Sequence, residues 1–271
     1  MPAVPDDDKR KPQYRGRQFG DVFHDPTVAA RYGLRPPYPE QTFSVLANLI
    51  RDTPRAVLDA GAGRGELARG MLPYADRVDA LEPSPAMIQQ GREQPGGGDP
   101  RLRWIYGYAE DAPLDGPYAL ITTGSSLHWM EWPIVLPRFA ALLAPHGSLA
   151  VLSVIDLPRP WDEALLPIIK RYTMNKDYVP YDLVAHLESL GLFARENERC
   201  TAPVPFTQPV EDYIEAFHSM SSFSRERMPT DEAAAFDAAV RELVTPYARD
   251  GQLTWNVSAL ITWGKPLAGA R

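Results

Sequence analysis

The chain has 271 residues, 44% of them hydrophobic and 23% charged, and a net charge of −7. That length suits one large α/β domain or a core with a modest cap, and the composition excludes a disordered or membrane-embedded chain. The acidic balance argues against a nucleic-acid partner, whose binding rests on clustered Lys and Arg releasing counterions, and leaves small molecules as the expected ligands.

Residues 1–12, MPAVPDDDKRKP, are polar and proline-broken, with no apolar stretch of signal-peptide type. The single cysteine, Cys200, can form no internal disulfide and no multi-cysteine metal site. A cytoplasmic protein without a metal is therefore expected. From Ala56 onward short apolar runs alternate with helical patterns, as in βαβ units. Strands are predicted at 56–60, 77–83, 102–107, 118–123 and 148–155. Helices are predicted at 66–75, 85–94 and 133–144, with a loop at 95–100 and a turn, APHG, at 144–147.

After Asp156 the pattern changes to amphipathic helices at 161–173, 181–191, 210–220 and 231–248. A strand around CTAPVPF (200–206) interrupts them, and another at 253–263 ends the chain. The expected fold is α/β: a doubly wound, Rossmann-like, mostly parallel seven-stranded sheet with a helical cap. Its expected parts are an N-terminal segment leading to the site (1–40), a core (41–156), a cap with an edge strand (157–250) and a C-terminal edge strand (251–271).

In Asp59-Ala60-Gly61-Ala62-Gly63-Arg64-Gly65 the first strand ends in an acid and turns through glycines into a helix near Glu66. Glycine admits positive φ and lets a ligand approach the main chain. A dinucleotide fingerprint starting at Gly61 needs a third glycine where Glu66 stands, and that carboxylate repels a pyrophosphate. Starting at Gly63 puts Ala68 third, a permitted variant, so NAD is weakened rather than excluded. Glu82 closes the second strand, where a carboxylate can accept both hydroxyls of the ribose of any adenosine cofactor.

VLDAGAGRGELA, VDALEPSPAMI, GYAEDAPL and ALITTGSSLHWM, in that order, resemble the signature segments of class I S-adenosylmethionine-dependent methyltransferases. The preceding YGLRPPYP resembles the R-P-x-Y-P segment of the small-molecule branch that includes trans-aconitate methyltransferases. The resemblance implies S-adenosylmethionine as cofactor. It further implies Asp59, Gly61 and Gly63 at the methionine moiety, Glu82 at the ribose, and Ala109 and Glu110 at the adenine edge, with Met87 packing nearby. Tyr32 and Arg35 are expected at the cofactor carboxylate. Ala62, Pro83, Ser125 and Trp129 complete the expected cofactor set.

SSLHWM (125–130) puts His128 where a methyl group would leave, so His128 is the candidate general base; binding the substrate or capping the next helix are equally open to it. His218 and Arg225, in the hydroxyl-rich FHSMSSFSRERM (217–228), are candidates for holding the acceptor. Tyr172, Tyr178, Tyr181 and Tyr213 are further cap candidates. The expected activity is methyl transfer to a small organic acceptor at O, N or C, possible substrates including a carboxylate or a natural-product intermediate. A protein of the same fold that catalyses a pericyclic ring closure or a dehydration is the alternative, ahead of an NAD-dependent oxidoreductase. No sequence feature sets the oligomeric state.

Overall fold

The computed structural model describes residues 20–176, 179 and 181–268; Tyr178 and the first nineteen residues lie outside them. Strands β1 (Ala56–Ala60), β2 (Arg77–Glu82), β3 (Leu102–Tyr106), β4 (Tyr118–Gly124) and β5 (Leu143–Asp156) pair in parallel in the order β3-β2-β1-β4-β5. All five residues of β1 are buried, as in a sheet covered on both faces. Alternate residues face opposite layers: Leu58, Ile121 and Leu149 join one apolar cluster, and Val57, Leu120 and Ala150 the other.

Helices α1 (Pro26–Tyr32) and α2 (Gln41–Ala47) precede the sheet, and α3 (Glu66–Met71), α4 (Pro85–Glu93) and α5 (Trp132–Leu142) connect its strands. Local chemistry fixes where they begin. The Asp25 carboxylate accepts the Thr27 N–H at 2.8 Å and the Ser84 hydroxyl accepts the Met87 N–H at 3.2 Å, each followed by a proline at the first helical position. Helices α6 (Asp162–Tyr172), α7 (Leu183–Ser189), α8 (Val210–Phe217) and α9 (Thr230–Val244) follow β5.

The sheet has eight described strands rather than the seven expected. Strand β8 (Gln252–Pro266) pairs antiparallel with β5, and its other edge carries β7 (Val204–Pro209) along its first half and β6 (Phe193–Cys200) along its second. The single edge strand expected around 200–206 is thus two strands parted by a short break. The expected turn at 144–147 is absorbed into β5, whose pairing with β4 shifts register between Tyr118 and Leu120.

The cap has its own core. Trp161, Tyr213, Phe217 and Phe236 pack with Leu253, Trp255 and Val257 from the first half of β8, whereas Ala259 and Ile261 from its second half belong to the sheet's own core. The indole N–H of Trp161 donates to the Tyr213 hydroxyl at 3.0 Å, and that of Trp255 to Asp156 at 2.8 Å. These large side chains keep their polar edges satisfied while burying their rings.

Candidate functional site

Strand order reverses between β1 and β4, and the crevice at the carboxyl ends of the strands is where doubly wound sheets bind ligands. A cavity of about 730 Å³ lies there. Its wall takes Tyr32, Arg35, Gly61, Gly63, Glu82, Pro83, Met87, Ala109, Glu110, Ser125, His128 and Trp129 from the expected set.

The three glycines do different work. Gly61, Gly63 and Gly65 all have positive φ, at 71°, 56° and 74°. A Cβ on Gly61 would lie 2.5 Å from the Ser126 Cβ, and one on Gly65 would lie 2.6 Å from the Trp104 ring. Those two are bare to make room for the protein itself. A Cβ on Gly63 would meet only a Tyr32 ring carbon at 4.0 Å, so this is the glycine whose main chain is open to a ligand.

Glu82, at the end of β2, is 5% exposed. The Gly63 N–H donates to its Oε2 at 2.8 Å and the Ser84 N–H to its Oε1 at 2.9 Å. Each oxygen keeps a lone pair for a ligand hydroxyl. Burial pushes the carboxyl up to about 7, against the pull of those two N–H groups. Met87 is buried beneath, and Glu110 accepts the Glu131 N–H at 2.8 Å.

Asp59 departs from expectation. Its side chain is 1% exposed and turned inward, accepting the Ala68 N–H at 3.1 Å and the Thr122 hydroxyl at 2.9 Å, and it does not line the cavity. It braces the start of α3 against β4 rather than meeting a ligand, and burial pushes it up to about 7. Ala62 is also buried off the cavity wall, its N–H donating to the Leu81 carbonyl at 2.9 Å.

Arg35 stacks over the Tyr32 ring at 4.2 Å. Its Nε donates to the Ser219 hydroxyl at 2.8 Å and its Nη2 to the Ser219 carbonyl at 2.7 Å, which ties the N-terminal segment to the cap. Arg31 strengthens that tie with ion pairs to Glu215 and Glu226, both at 2.9 Å. Beside them Phe23 meets Tyr32 and Trp129 edge-on, with centroids 6.0 and 6.1 Å away, as an aromatic wall between the N-terminal segment and the end of β4.

Past β4, Ser125 holds a positive φ of 50°, a conformation costly for a residue with a Cβ. His128 sits in the short helical turn Leu127–Trp129, its ring 4.3 Å from that of Trp129. Ser125, Ser126 and His128 also border a second cavity of about 340 Å³.

His218 and Arg225 are corrected by the structure. His218 is wholly buried, one ring nitrogen 2.6 Å from the Phe223 carbonyl and the other 2.7 Å from Asp237. Arg225 donates to Glu215 at 2.6 Å and to Asp237 at 2.7 Å. Neither lines the cavity. Their partners lie on α8 and α9, so the cluster shapes the loop over the site from behind. Of the cap tyrosines, Tyr213 is buried in the cap core and Tyr181 lines the second cavity. Sequence reasoning missed His24, whose ring bonds the Pro83 carbonyl at 2.9 Å, and Lys170 and Lys176 on the cap side. No local pattern marks them, because only the packing of the cap brings them to the wall.

A family model described as a methyltransferase domain matches residues 57–147. A trans-aconitate 2-methyltransferase of Methylobacterium radiotolerans is 32% identical over 120 residues, 43% of this chain and 44% of the relative. A Saccharomyces cerevisiae protein assigned as an S-adenosylmethionine-dependent methyltransferase is 22% identical over 175 residues, 61% of this chain and 55% of its own. The chain spans about half the length of the curated relatives it matches. A solved structure from Anaeromyxobacter dehalogenans, assigned as a type II methyltransferase, shares the fold with a TM-score of 0.58 at 19% identity, covering 85% of this chain and 97% of that one.

Proposed function

We propose that this chain, whose residues 57–147 match a methyltransferase domain model, transfers a methyl group from S-adenosylmethionine to a small organic acceptor. The observation that carries the reading is the pairing of Glu82 with Gly63: a carboxylate with spare lone pairs beside a glycine whose main chain is open to the cavity. This fits a ribose diol next to a methionine moiety. The cofactor carboxylate would meet Arg35, whose Nη1 takes no part in the two Ser219 bonds. The adenine would lie over Met87, between Ala109 and Glu110.

Bound S-adenosylmethionine supplies a methyl group on a positively charged sulfur. The chain's own work is positioning and exclusion of water, which Tyr32, Phe23 and Trp129 serve by walling the crevice. His128 accepts the proton that a hydroxyl or amine acceptor must lose. No described helix is long and apolar enough to cross a membrane. A cytoplasmic location belongs to the same reading, on the strength of the single cysteine.

Calorimetry with S-adenosylhomocysteine and with NAD tests the cofactor: the first should bind and the second should not. Tight NAD binding without a response to S-adenosylhomocysteine would overturn the reading. Incubation with methyl-labelled cofactor and a panel of small acceptors then tests the transfer. Label that never leaves the cofactor while substrates are consumed would assign a non-methylating reaction instead.

A further inference from the structure

The carboxylates and the lysines around the cavity stand on different sides, with Arg35 a cation on the carboxylate side. The three carboxylates, Asp21, Glu82 and Glu110, all come from the N-terminal segment and the ends of β2 and β3. The cap side carries none, and it carries Lys170 and Lys176. This is unusual in a chain of net charge −7 with only five lysines, of which Lys9 and Lys11 lie outside the described residues and Lys265 is on β8. Most described arginines that form ion pairs meet a carboxylate closely, yet neither of these lysines has a carboxylate partner among the described residues. Lys176 donates to the Arg171 carbonyl and keeps two N–H donors; both ammonium groups are exposed at the mouth.

On the cap side the wall mixes apolar side chains with the polar Thr173, Asn175, Ser221 and Ser222. Helix α6 presents Leu166 and Ile169 to the cavity, and the cap loop presents Met220 and Phe223. Leu166 is 50% exposed and Met220 37%, so each has apolar surface left for a ligand to cover. The adjoining side of α6, with Leu165 and Ile168, packs into the cap core, and Ile169 touches that core as well. The helix therefore packs inward along Leu165, Ile168 and Ile169 and leaves Leu166 as exposed apolar surface beside Lys170.

We infer that the acceptor is an amphiphile with a single anionic head group, held at the mouth by Lys170 and Lys176, with its apolar body along Leu166, Ile169, Met220 and Phe223. Its reacting atom lies inward near His128. The methylated atom is then not the anion but a second group, a hydroxyl or amine deeper in the cavity: a lone pair on its oxygen or nitrogen would form the bond to the methyl carbon as the S–CH3 bond of S-adenosylmethionine broke, that bond's electron pair would stay on the sulfur of S-adenosylhomocysteine, and the O–H or N–H proton would pass to His128. A compact polyanion such as trans-aconitate fits poorly, because Arg35, the arginine on the wall, is bonded to Ser219 and assigned to the cofactor carboxylate. This inference rests on reading the cavity as a methyl-transfer site.

The test is binding to the protein loaded with S-adenosylhomocysteine, measured by calorimetry with octanoate, octyl phosphate, 1-octanol and trans-aconitate. Either anionic octyl ligand should bind at least about tenfold more tightly than 1-octanol, and trans-aconitate more weakly than both. The better of the two anions identifies the head group. In the double variant Lys170→Gln/Lys176→Gln that preference should vanish, while 1-octanol and S-adenosylhomocysteine bind as before. Equal binding of octanoate, octyl phosphate and 1-octanol, unchanged anion affinity in the double variant, or tighter binding of trans-aconitate would overturn the inference. A double variant that loses S-adenosylhomocysteine would place the lysines at the cofactor and overturn it too. Failure of the wild-type protein to bind S-adenosylhomocysteine would instead strike the underlying reading of the site.

Discussion

Replacing Glu82 by glutamine preserves its volume and changes two quantities that can be measured apart. The carboxylate takes the Gly63 and Ser84 N–H groups on separate oxygens. A glutamine amide has one accepting oxygen, so its NH2 must face one of those N–H groups, donor against donor. The buried donor left without a partner costs about 1–3 kcal/mol of stability. On binding, the loss of one charge-assisted bond to the ribose costs about 1.5–3 kcal/mol, about tenfold to a hundredfold in affinity. Acidity provides a second reading. With the Glu82 carboxyl at about 7, its ionised fraction is about 30-fold smaller at pH 5.5 than at pH 8. Wild-type affinity for S-adenosylhomocysteine should therefore weaken by up to that factor on acidification, and the Glu82→Gln variant should be much flatter. Calorimetry at the two pH values decides it, with circular dichroism melts to separate the cost to the fold. A variant that binds within twofold of wild type, or a wild-type affinity indifferent to pH over this range, would refute the reasoning.

Three further outcomes are expected. Asp59 is raised to about 7 in the folded protein from an ordinary value near 3.8, so the folded state holds more protons than the unfolded one between those values, and stability falls as pH rises through the interval. Asp59→Asn should remove that share, giving a smaller drop in melting temperature from pH 5 to pH 8; identical slopes would dismiss the buried charge. His128→Asn should lower turnover about 10²–10⁴-fold with S-adenosylhomocysteine affinity unchanged, and full turnover would remove His128 from the chemistry. Gly61→Ala forces a Cβ into a left-handed residue 2.5 Å from the Ser126 Cβ. At a cost of about 2 kcal/mol or more, the melting temperature should fall by about 4–8 °C, and an unaltered melt would mean that the turn relaxes freely.

Strands β1, β2 and β4 were legible because burial on both faces leaves nearly continuous apolar runs bounded by turn residues. Strand β6 was not, because FARENERC has only its first residue buried and reads as a charged loop; its pairing comes from β8. Glu82 was named from its place at the end of β2, and its carboxylate does line the cavity. The stretch around His218 and Arg225 misled because hydroxyls and cations can serve a ligand or an internal network alike, and the deciding partner, Asp237, lies on a separate helix. Asp59 stands one residue before the end of β1, yet the Ala68 N–H at the far end of the same motif and Thr122 on β4 draw it inward.

Strand β8 has a bearing on how such a protein can be rebuilt. Its first half is cap core and its second half sheet core; β7 pairs with the first from Gln252 to Val257, and β5 takes over from Val257 to Gly264. A cap that shares a continuous strand with the sheet cannot swing as a detached lid without breaking that pairing, so opening has to come from the N-terminal helix and the loop that Arg31 and Arg35 clasp. For the same reason a chimaera that exchanges residues 157–250 for another cap would leave Leu253, Trp255 and Val257 facing foreign side chains. A graft meant to change acceptor choice should instead carry the foreign strand through the point where it crosses from one core to the other, between Val257 and Ala259.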